Sequence, residues 1–125
     1  MVVAGRPGSG KSCLLAQVLQ NAAAAGRPGL VCSLEMGAGE LAGRALKTIP
    51  REKFSGLPVW FAESAELHRI VGQIRAAVRI HHVELAAVDY LGLVESPRER
   101  GVSRVEQVAA ITRAFKMLAR ELQIP

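Results

Sequence analysis

The chain has 125 residues and is 50% hydrophobic, which suits one folded domain and excludes an intrinsically disordered chain. Its formal net charge of +5 fits a phosphate-bearing partner, a nucleotide or a nucleic acid, without identifying either. Cys13 and Cys32 form no metal-binding pattern, so we expect reduced thiols in a cytoplasmic protein. No apolar stretch approaches the ~18 residues of a membrane span, so we expect no membrane partner.

Short apolar, β-branched runs alternate with amphipathic segments, a pattern that predicts an α/β fold with a mainly parallel sheet flanked by helices. The strands are predicted at 2–4, at 29–35, at 58–62 and, ending near Asp89, within 84–94. The helices are predicted at 11–25, at 39–48, at 64–80 and from Ser103 onward. The first strand is short and the last helix has no strand after it, so we expect a single domain over residues 1–125 that is incomplete at both ends.

Three of the predicted helices have an apolar side that we expect to cover the sheet. In the first helix this side consists of Leu14, Leu15, Val18 and Leu19. In the third helix it consists of Leu67, Ile70, Val71, Ile74 and Val78. The last helix begins with a capping box formed by Ser103 and Glu106. Its apolar side consists of Val108, Ile111, Phe115, Leu118 and Leu122. The opposite side of that helix carries basic residues that we expect to be solvated, namely Arg113, Lys116 and Arg120.

The stretch GRPGSGKS at 5–12 has the form G-x-x-x-x-G-K-[ST], which predicts a phosphate-binding loop between a strand and a helix. In such a loop the backbone N–H groups and the N-terminus of the following helix bind phosphate oxygens. The lysine reaches the β- and γ-phosphates, and the hydroxyl that follows it binds Mg²⁺. We therefore predict a nucleotide site formed by Gly5, Arg6, Pro7, Gly8, Ser9, Gly10, Lys11, Ser12 and Cys13.

Two carboxylates follow predicted strands, at the edge of a parallel sheet where ligands bind. Asp89 ends the run LAAV and is the candidate for a second Mg²⁺ contact, with a turn-forming role as the alternative. Glu35 directly follows the run VCSL. Its spacing alone is equally compatible with a role at the nucleotide edge and with a helix-capping or solvated side chain. His68, His81 and His82 are predicted at the surface, Trp60 and Phe61 in the core, and the polar segment 95–101 in a mobile loop.

The segments GRPGSGKS, CSLEM, VDYLGL and ITRAFKMLARELQIP together resemble the C-terminal motor domain of the DnaB-like replicative DNA helicases. The resemblance implies a RecA-like P-loop NTPase core, with Lys11 as the phosphate-binding lysine and Ser12 as the Mg²⁺ hydroxyl. It implies that Glu35 is the catalytic glutamate, which polarises the attacking water, and that Asp89 is the Walker B aspartate. It also implies ATP and Mg²⁺ as cofactors and a hexameric ring of identical subunits that translocates on single-stranded DNA and unwinds the duplex.

This sequence departs from the family pattern at Gly92, where the family usually has Gln, and at Thr112, where it usually has Ser. The segment between 50 and 64 also looks shortened. The family's next strand would begin after Pro125, followed by a DNA-contacting loop and an arginine finger, so we expect this chain alone to be weakly active or inactive. The alternatives are an ATP-binding switch or loader-type protein without unwinding activity, a small-molecule kinase, and a non-catalytic helicase fragment.

Overall fold

The computed structural model describes residues 1–6, 8–37, 39, 40, 43, 58–95 and 102–125. In chain order its elements are helix α1 (Lys11–Ala24), strand β1 (Gly29–Ser33), strand β2 (Val59–Ala62), helix α2 (Leu67–His81), strand β3 (Leu85–Asp89), a single 3-10 turn (Leu91–Leu93) and helix α3 (Arg104–Leu122). Among the described residues, no helix has both the length and the apolar character needed to cross a membrane.

The three strands form one parallel sheet in the order β2-β1-β3. All five residues of the central strand β1 are buried, as expected of a parallel strand with helices on both faces. The register pairs Cys32 with Ala62 on one side and Ser33 with Asp89 on the other. The carboxyl ends of β1 and β3 therefore lie level with each other, and the predicted parallel α/β fold is confirmed.

Alternate residues of β1 face different helices. Leu30 and Cys32 belong to the larger core cluster, to which α2 contributes Ile70 and Ile74 and α3 contributes buried residues such as Ile111. Val31 lies in the smaller cluster, with Leu19 of α1 and with Met36. Helices α2 and α3 thus pack on one face of the sheet and α1 on the other. The predicted apolar side of α2 is confirmed, and that of α3 is confirmed at Ile111, Phe115, Leu118 and Leu122, whereas Val108 is half-buried outside this cluster. The basic side of α3 is exposed at Arg113, Lys116 and Arg120.

The predicted strand at 2–4 is wrong. These residues form no strand, and the side chains of Val2 and Val3 are 63% and 47% exposed. A strand forms only when its N–H and C=O groups meet those of a neighbour. No described strand pairs with residues 2–4. The outer edge of β3 is instead hydrogen-bonded to the last residue of the chain, because Ala86 N donates to Pro125 O at 3.2 Å.

The predicted buried side of α1 is wrong for two of its four residues. Leu19 is buried and Leu15 packs beside it, but Leu14 and Val18 are 49% and 36% exposed. Leu15, Leu19 and Ala23 follow one another at intervals of four residues and so share the face that meets the sheet. Leu14 and Val18 lie on the adjacent face of the helix, which the described part of the sheet does not cover.

Local signals at the helix ends are confirmed. Gly26, with φ +74°, ends α1, because this left-handed backbone conformation favours glycine. The hydroxyl of Ser103 accepts the backbone N–H of Glu106 at 3.3 Å, and Ser103 N donates to the Glu106 carboxylate at 2.8 Å. Of the predicted helix 39–48, residues 39, 40 and 43 are helical and the others lie outside the described residues, as does all of the predicted loop 95–101 except Glu95.

We predict that the two cysteines differ sharply in reactivity. Cys13 is exposed, whereas Cys32 is fully buried and its burial raises the pKa of the thiol to about 12. Because the thiolate is the reacting form, iodoacetamide at pH 8 should label Cys13 in the folded chain and leave Cys32 unmodified. Mass spectrometry of the labelled peptides checks this, with urea-unfolded chain as the control in which both react. Equal labelling of both thiols in the folded chain would contradict the buried position of β1.

Candidate nucleotide-binding site

The loop before α1 has the backbone of a tight turn. Gly8 and Gly10 have φ of +77° and +88°, a conformation that glycine adopts without a steric penalty. Ser9 N donates to Arg6 O at 3.1 Å, and Leu14 N donates to Gly10 O at 2.9 Å, which begins the helix. Pro7 lies outside the described residues. The loop therefore delivers the N-terminus of α1, with its unpaired N–H groups, to the edge of the sheet.

The Lys11 ammonium folds back over this loop. Its Nζ donates to Gly5 O and to Arg6 O, at 3.0 Å each. Both partners are carbonyl oxygens of the loop itself, so the positive charge lies among the residues predicted to hold phosphate. An oxygen of a bound phosphate would offer the same ammonium a charged acceptor in place of two neutral ones, which makes a stronger hydrogen bond.

Ser12 and Asp89, which are 77 residues apart in sequence, meet in the fold. Ser12 Oγ donates to Asp89 Oδ2 at 2.7 Å, and Asp89 is only 8% exposed. The sequence predicted these two residues as the Mg²⁺ contacts. A hydroxyl beside a carboxylate is a suitable start for Mg²⁺, which prefers oxygen ligands and keeps several water or phosphate oxygens. No group of three or more His, Cys, Asp or Glu side chains elsewhere in the described part of the chain offers a competing metal site.

Glu35 lies two residues beyond the end of β1 and is exposed. The segment that carries it is attached to β3, because Leu34 N donates to Asp89 O at 2.8 Å. Glu35 therefore stands at the same edge of the sheet as Asp89, where a carboxylate is accessible to water. Glu63, which follows β2, is a further exposed carboxylate at this edge, and no sequence motif had pointed to it.

The other sequence candidates lie in or beside β2 and α2. His81 and His82 are exposed at the end of α2, and His68 is exposed in its first turn, 3.3 Å from a carboxylate oxygen of Glu66. The indole of Trp60 stacks on the His81 ring with the centroids 4.7 Å apart. Trp60 and Phe61 both pack against core clusters, as predicted. The loop, Ser12, Asp89 and Glu35 form the candidate site, because the hydrogen bond between Ser12 and Asp89 joins the loop to this edge of the sheet.

We predict that restoring the family's usual residue at position 92 displaces Tyr90 with little effect on stability. A Cβ at Gly92 would overlap atoms Cδ2 and Cε2 of the Tyr90 ring. Because that ring is 40% exposed, it can turn into solvent, so Gly92→Gln should change the free energy of unfolding by less than about 1 kcal/mol. The NMR signals of the chain's one tyrosine should shift in this variant. In the control Gly72→Gln, where a Cβ meets nothing within 4 Å, they should not, and an unshifted signal in Gly92→Gln would contradict the contact.

Known proteins are similar to this chain in sequence. The replicative DNA helicase DnaB of Leifsonia xyli subsp. xyli is 31% identical over 153 aligned residues, which cover 100% of this chain and 33% of the relative. DnaB of Rhodothermus marinus is 31% identical over 155 residues, covering 100% of this chain and 16% of the relative. The chain thus spans a third or less of the length of these relatives.

Solved structures match in fold. A DnaB-like replicative helicase, whose structure was described with its interactions with primase, superimposes with a TM-score of 0.79 at 24% identity, covering 95% of this chain and 36% of that one. An ATPase domain superimposes with a TM-score of 0.79 at 22% identity, covering 95% of this chain and 52% of that one.

The family match also bears on the predicted shortening between 50 and 64. The sequence model of the DnaB-like helicase C-terminal domain matches residues 1–57 and 47–125, two stretches that meet near this segment. The alignment with the Leifsonia xyli relative is 153 residues long, more than the 125 of the chain, so the relative carries residues that have no counterpart here. The alignment length shows that residues of the relative are unmatched, and their position between 50 and 64 stays a prediction. With the whole chain matched, it belongs to the DnaB-like helicase C-terminal domain family and has the RecA-like fold of that family's ATPase domain.

Proposed function

We propose that this chain is the ATP-binding part of a replicative-helicase motor that hydrolyses ATP with Mg²⁺ to translocate on single-stranded DNA and unwind the duplex. The hydrogen bond of 2.7 Å between Ser12 Oγ and Asp89 Oδ2 carries the proposal, because it joins the phosphate loop to the strand end that supplies a metal-binding carboxylate. The curated relatives are replicative DNA helicases, which supports the same activity here.

Each part of the site has a distinct role in this proposal. The N–H groups of Gly8 to Cys13 bind the phosphate oxygens of ATP at the N-terminus of α1. Lys11 exchanges its two carbonyl acceptors, Gly5 O and Arg6 O, for the β- and γ-phosphates. Ser12 and Asp89 hold Mg²⁺, which neutralises charge on the phosphates.

Glu35 acts on the attacking water. Its exposed carboxylate accepts a hydrogen bond from a water molecule and orients it for in-line attack on the γ-phosphorus. The new P–O bond forms as the bond to the β,γ-bridging oxygen breaks, which gives ADP and inorganic phosphate. The water proton passes to Glu35 or to the phosphate product, so no further reactant is needed.

The partners in this proposal are single-stranded DNA and identical subunits in a ring. The net charge of +5 favours a polyanion, and contacts to DNA phosphates would weaken as the salt concentration rises. One structural neighbour is described with its interactions with primase, and a primase contact is a further partner to be tested for this family member.

The proposal is tested by γ-phosphate release under single-turnover conditions, with the protein in excess over ATP so that slow hydrolysis is measurable. We expect single-stranded DNA to accelerate release, and Glu35→Gln to abolish it while Mg²⁺–ATP still binds. Release that is unaffected by Glu35→Gln would contradict the role of Glu35. Transfer of the phosphate to a small acceptor would favour a kinase, and turnover that ignores DNA would favour a switch protein.

A further inference from the structure

Two polar residues are buried among the described residues, and both lie at the candidate site. Asp89 is 8% exposed and Ser33 is 5% exposed, and the register of β1 and β3 places them opposite each other. The burial of Asp89 is compensated by its hydrogen bond with Ser12. Ser33 stands in a strand that is otherwise apolar, GLVCS, where a hydroxyl has to find an internal partner.

Ser33 finds that partner in the segment that carries Glu35. Its Oγ donates to Met36 O at 2.5 Å, which closes a turn around Leu34 and Glu35. The turn is fixed at its start by Leu34 N, which donates to Asp89 O at 2.8 Å. It is fixed at its end by the Met36 side chain, which is 8% exposed and packs in the cluster beside α1. The backbone on both sides of Glu35 is therefore held, while its carboxylate stays exposed.

We infer that Ser33 is a positioning residue for hydrolysis: its hydroxyl fixes the turn from 33 to 36 and thereby the direction in which Glu35 presents its carboxylate. The inference rests on the proposed function and deepens it. Ser33 touches neither nucleotide nor water in this role, so it acts only through Glu35. A misplacement of a reacting group by as little as about 1 Å can lower a reaction rate on the order of 100-fold. Loss of the hydroxyl therefore lowers the hydrolysis rate. Nucleotide binding, which depends on the loop, is unchanged.

A merely structural role for Ser33 makes a different prediction. Buried hydroxyls commonly stabilise a fold, and their removal then lowers the melting temperature without touching the chemical step. Cys32 supplies the matched control, because it is the neighbouring residue in β1, is fully buried and packs in the larger core cluster away from Met36. Cys32→Ala should therefore lower the melting temperature and keep the hydrolysis rate per folded molecule.

The test compares wild type with Ser33→Ala, Ser33→Thr and Cys32→Ala. Ser33→Ala should lower the single-turnover hydrolysis rate roughly 10- to 100-fold and change the Kd for Mg²⁺–ATP by less than about twofold. Amide hydrogen exchange at Leu34, whose N–H donates to Asp89 O at the start of the turn, should be faster in Ser33→Ala. Ser33→Thr keeps the hydroxyl and should restore both the rate and the protection. If its added methyl prevents folding, Ser33→Cys, with a weak donor of similar size, should give intermediate values.

Hydrolysis by Ser33→Ala at the wild-type rate would overturn the inference, as would a rate loss that Cys32→Ala reproduces. Unchanged hydrogen exchange at Leu34 in Ser33→Ala would overturn it whether or not the chain hydrolyses ATP. A wild-type chain that binds no Mg²⁺–ATP would instead contradict the proposed function, whereas binding without phosphate release is the inactive-fragment outcome expected from the sequence. The exchange measurement then decides separately whether Ser33 holds the turn.

Discussion

Replacing Lys11 with alanine is expected to weaken Mg²⁺–ATP binding roughly 10- to 100-fold while the chain stays folded. The Lys11 ammonium donates to two exposed loop carbonyls, Gly5 O and Arg6 O, and Lys11 is not among the residues of the described core clusters, so its removal leaves those clusters intact. Its ammonium would make charge-assisted hydrogen bonds to phosphate, each contributing about 1.5–3 kcal/mol, and each 1.4 kcal/mol corresponds to about a factor of ten in Kd. Calorimetric titration with a non-hydrolysable ATP analogue measures the change.

The matched control for this variant is Lys116→Ala. Lys116 lies on the exposed basic side of α3 and its loss changes the net charge of the chain by the same amount. If both lysine variants weaken binding equally, the effect comes from the overall charge and the loop assignment fails. If only Lys11→Ala weakens it, the ammonium beside Gly5 and Arg6 is the phosphate contact.

The second large effect is expected for Asp89→Asn. The amide keeps the size of the side chain and an oxygen that accepts the Ser12 hydroxyl, but it removes the buried negative charge. Because that charge is what holds Mg²⁺ in the proposal, the variant should lose the Mg²⁺ dependence of ATP binding and lower the hydrolysis rate by at least about 100-fold. Nucleotide binding without metal should remain, since the loop and Lys11 are unchanged.

A Mg²⁺ titration of nucleotide affinity and of single-turnover phosphate release checks this. Glu84→Gln is the matched control: Glu84 precedes β3 at its opposite end, and its exposed carboxylate lies 3.9 Å from the Arg27 guanidinium. It should behave as wild type. An Asp89→Asn variant that retains the full Mg²⁺ effect would show that the metal is held elsewhere.

Local patterns predicted most of the fold. The apolar run around Val31 is a signal from residues close together in sequence, and so is the recurrence of apolar residues every three to four positions in α2 and α3. Both signals were confirmed. The capping box of Ser103 and Glu106 is likewise a four-residue signal. Asp89 could be placed at the site because the carboxyl ends of parallel strands share one edge.

The errors arose where the outcome depends on neighbours distant in sequence. The run at 2–4 has strand-forming residues, but whether it forms a strand depends on a partner beside it. Which side of α1 faces the sheet is decided by the position of the sheet, so Leu14 and Val18 could not be assigned from periodicity alone. The role of Glu35 came from the family resemblance and not from spacing. Ser33 was overlooked, although a serine in an apolar strand directly before a candidate carboxylate is a signal worth following.

The most direct test of the proposed nucleotide site is titration of the wild-type chain with a non-hydrolysable ATP analogue, with and without Mg²⁺. We expect one nucleotide per chain, tighter binding with Mg²⁺, and loss of the Mg²⁺ effect in Asp89→Asn, because Ser12 and Asp89 meet at the loop that holds the phosphates. A folded chain that binds no nucleotide under either condition would contradict the proposed site.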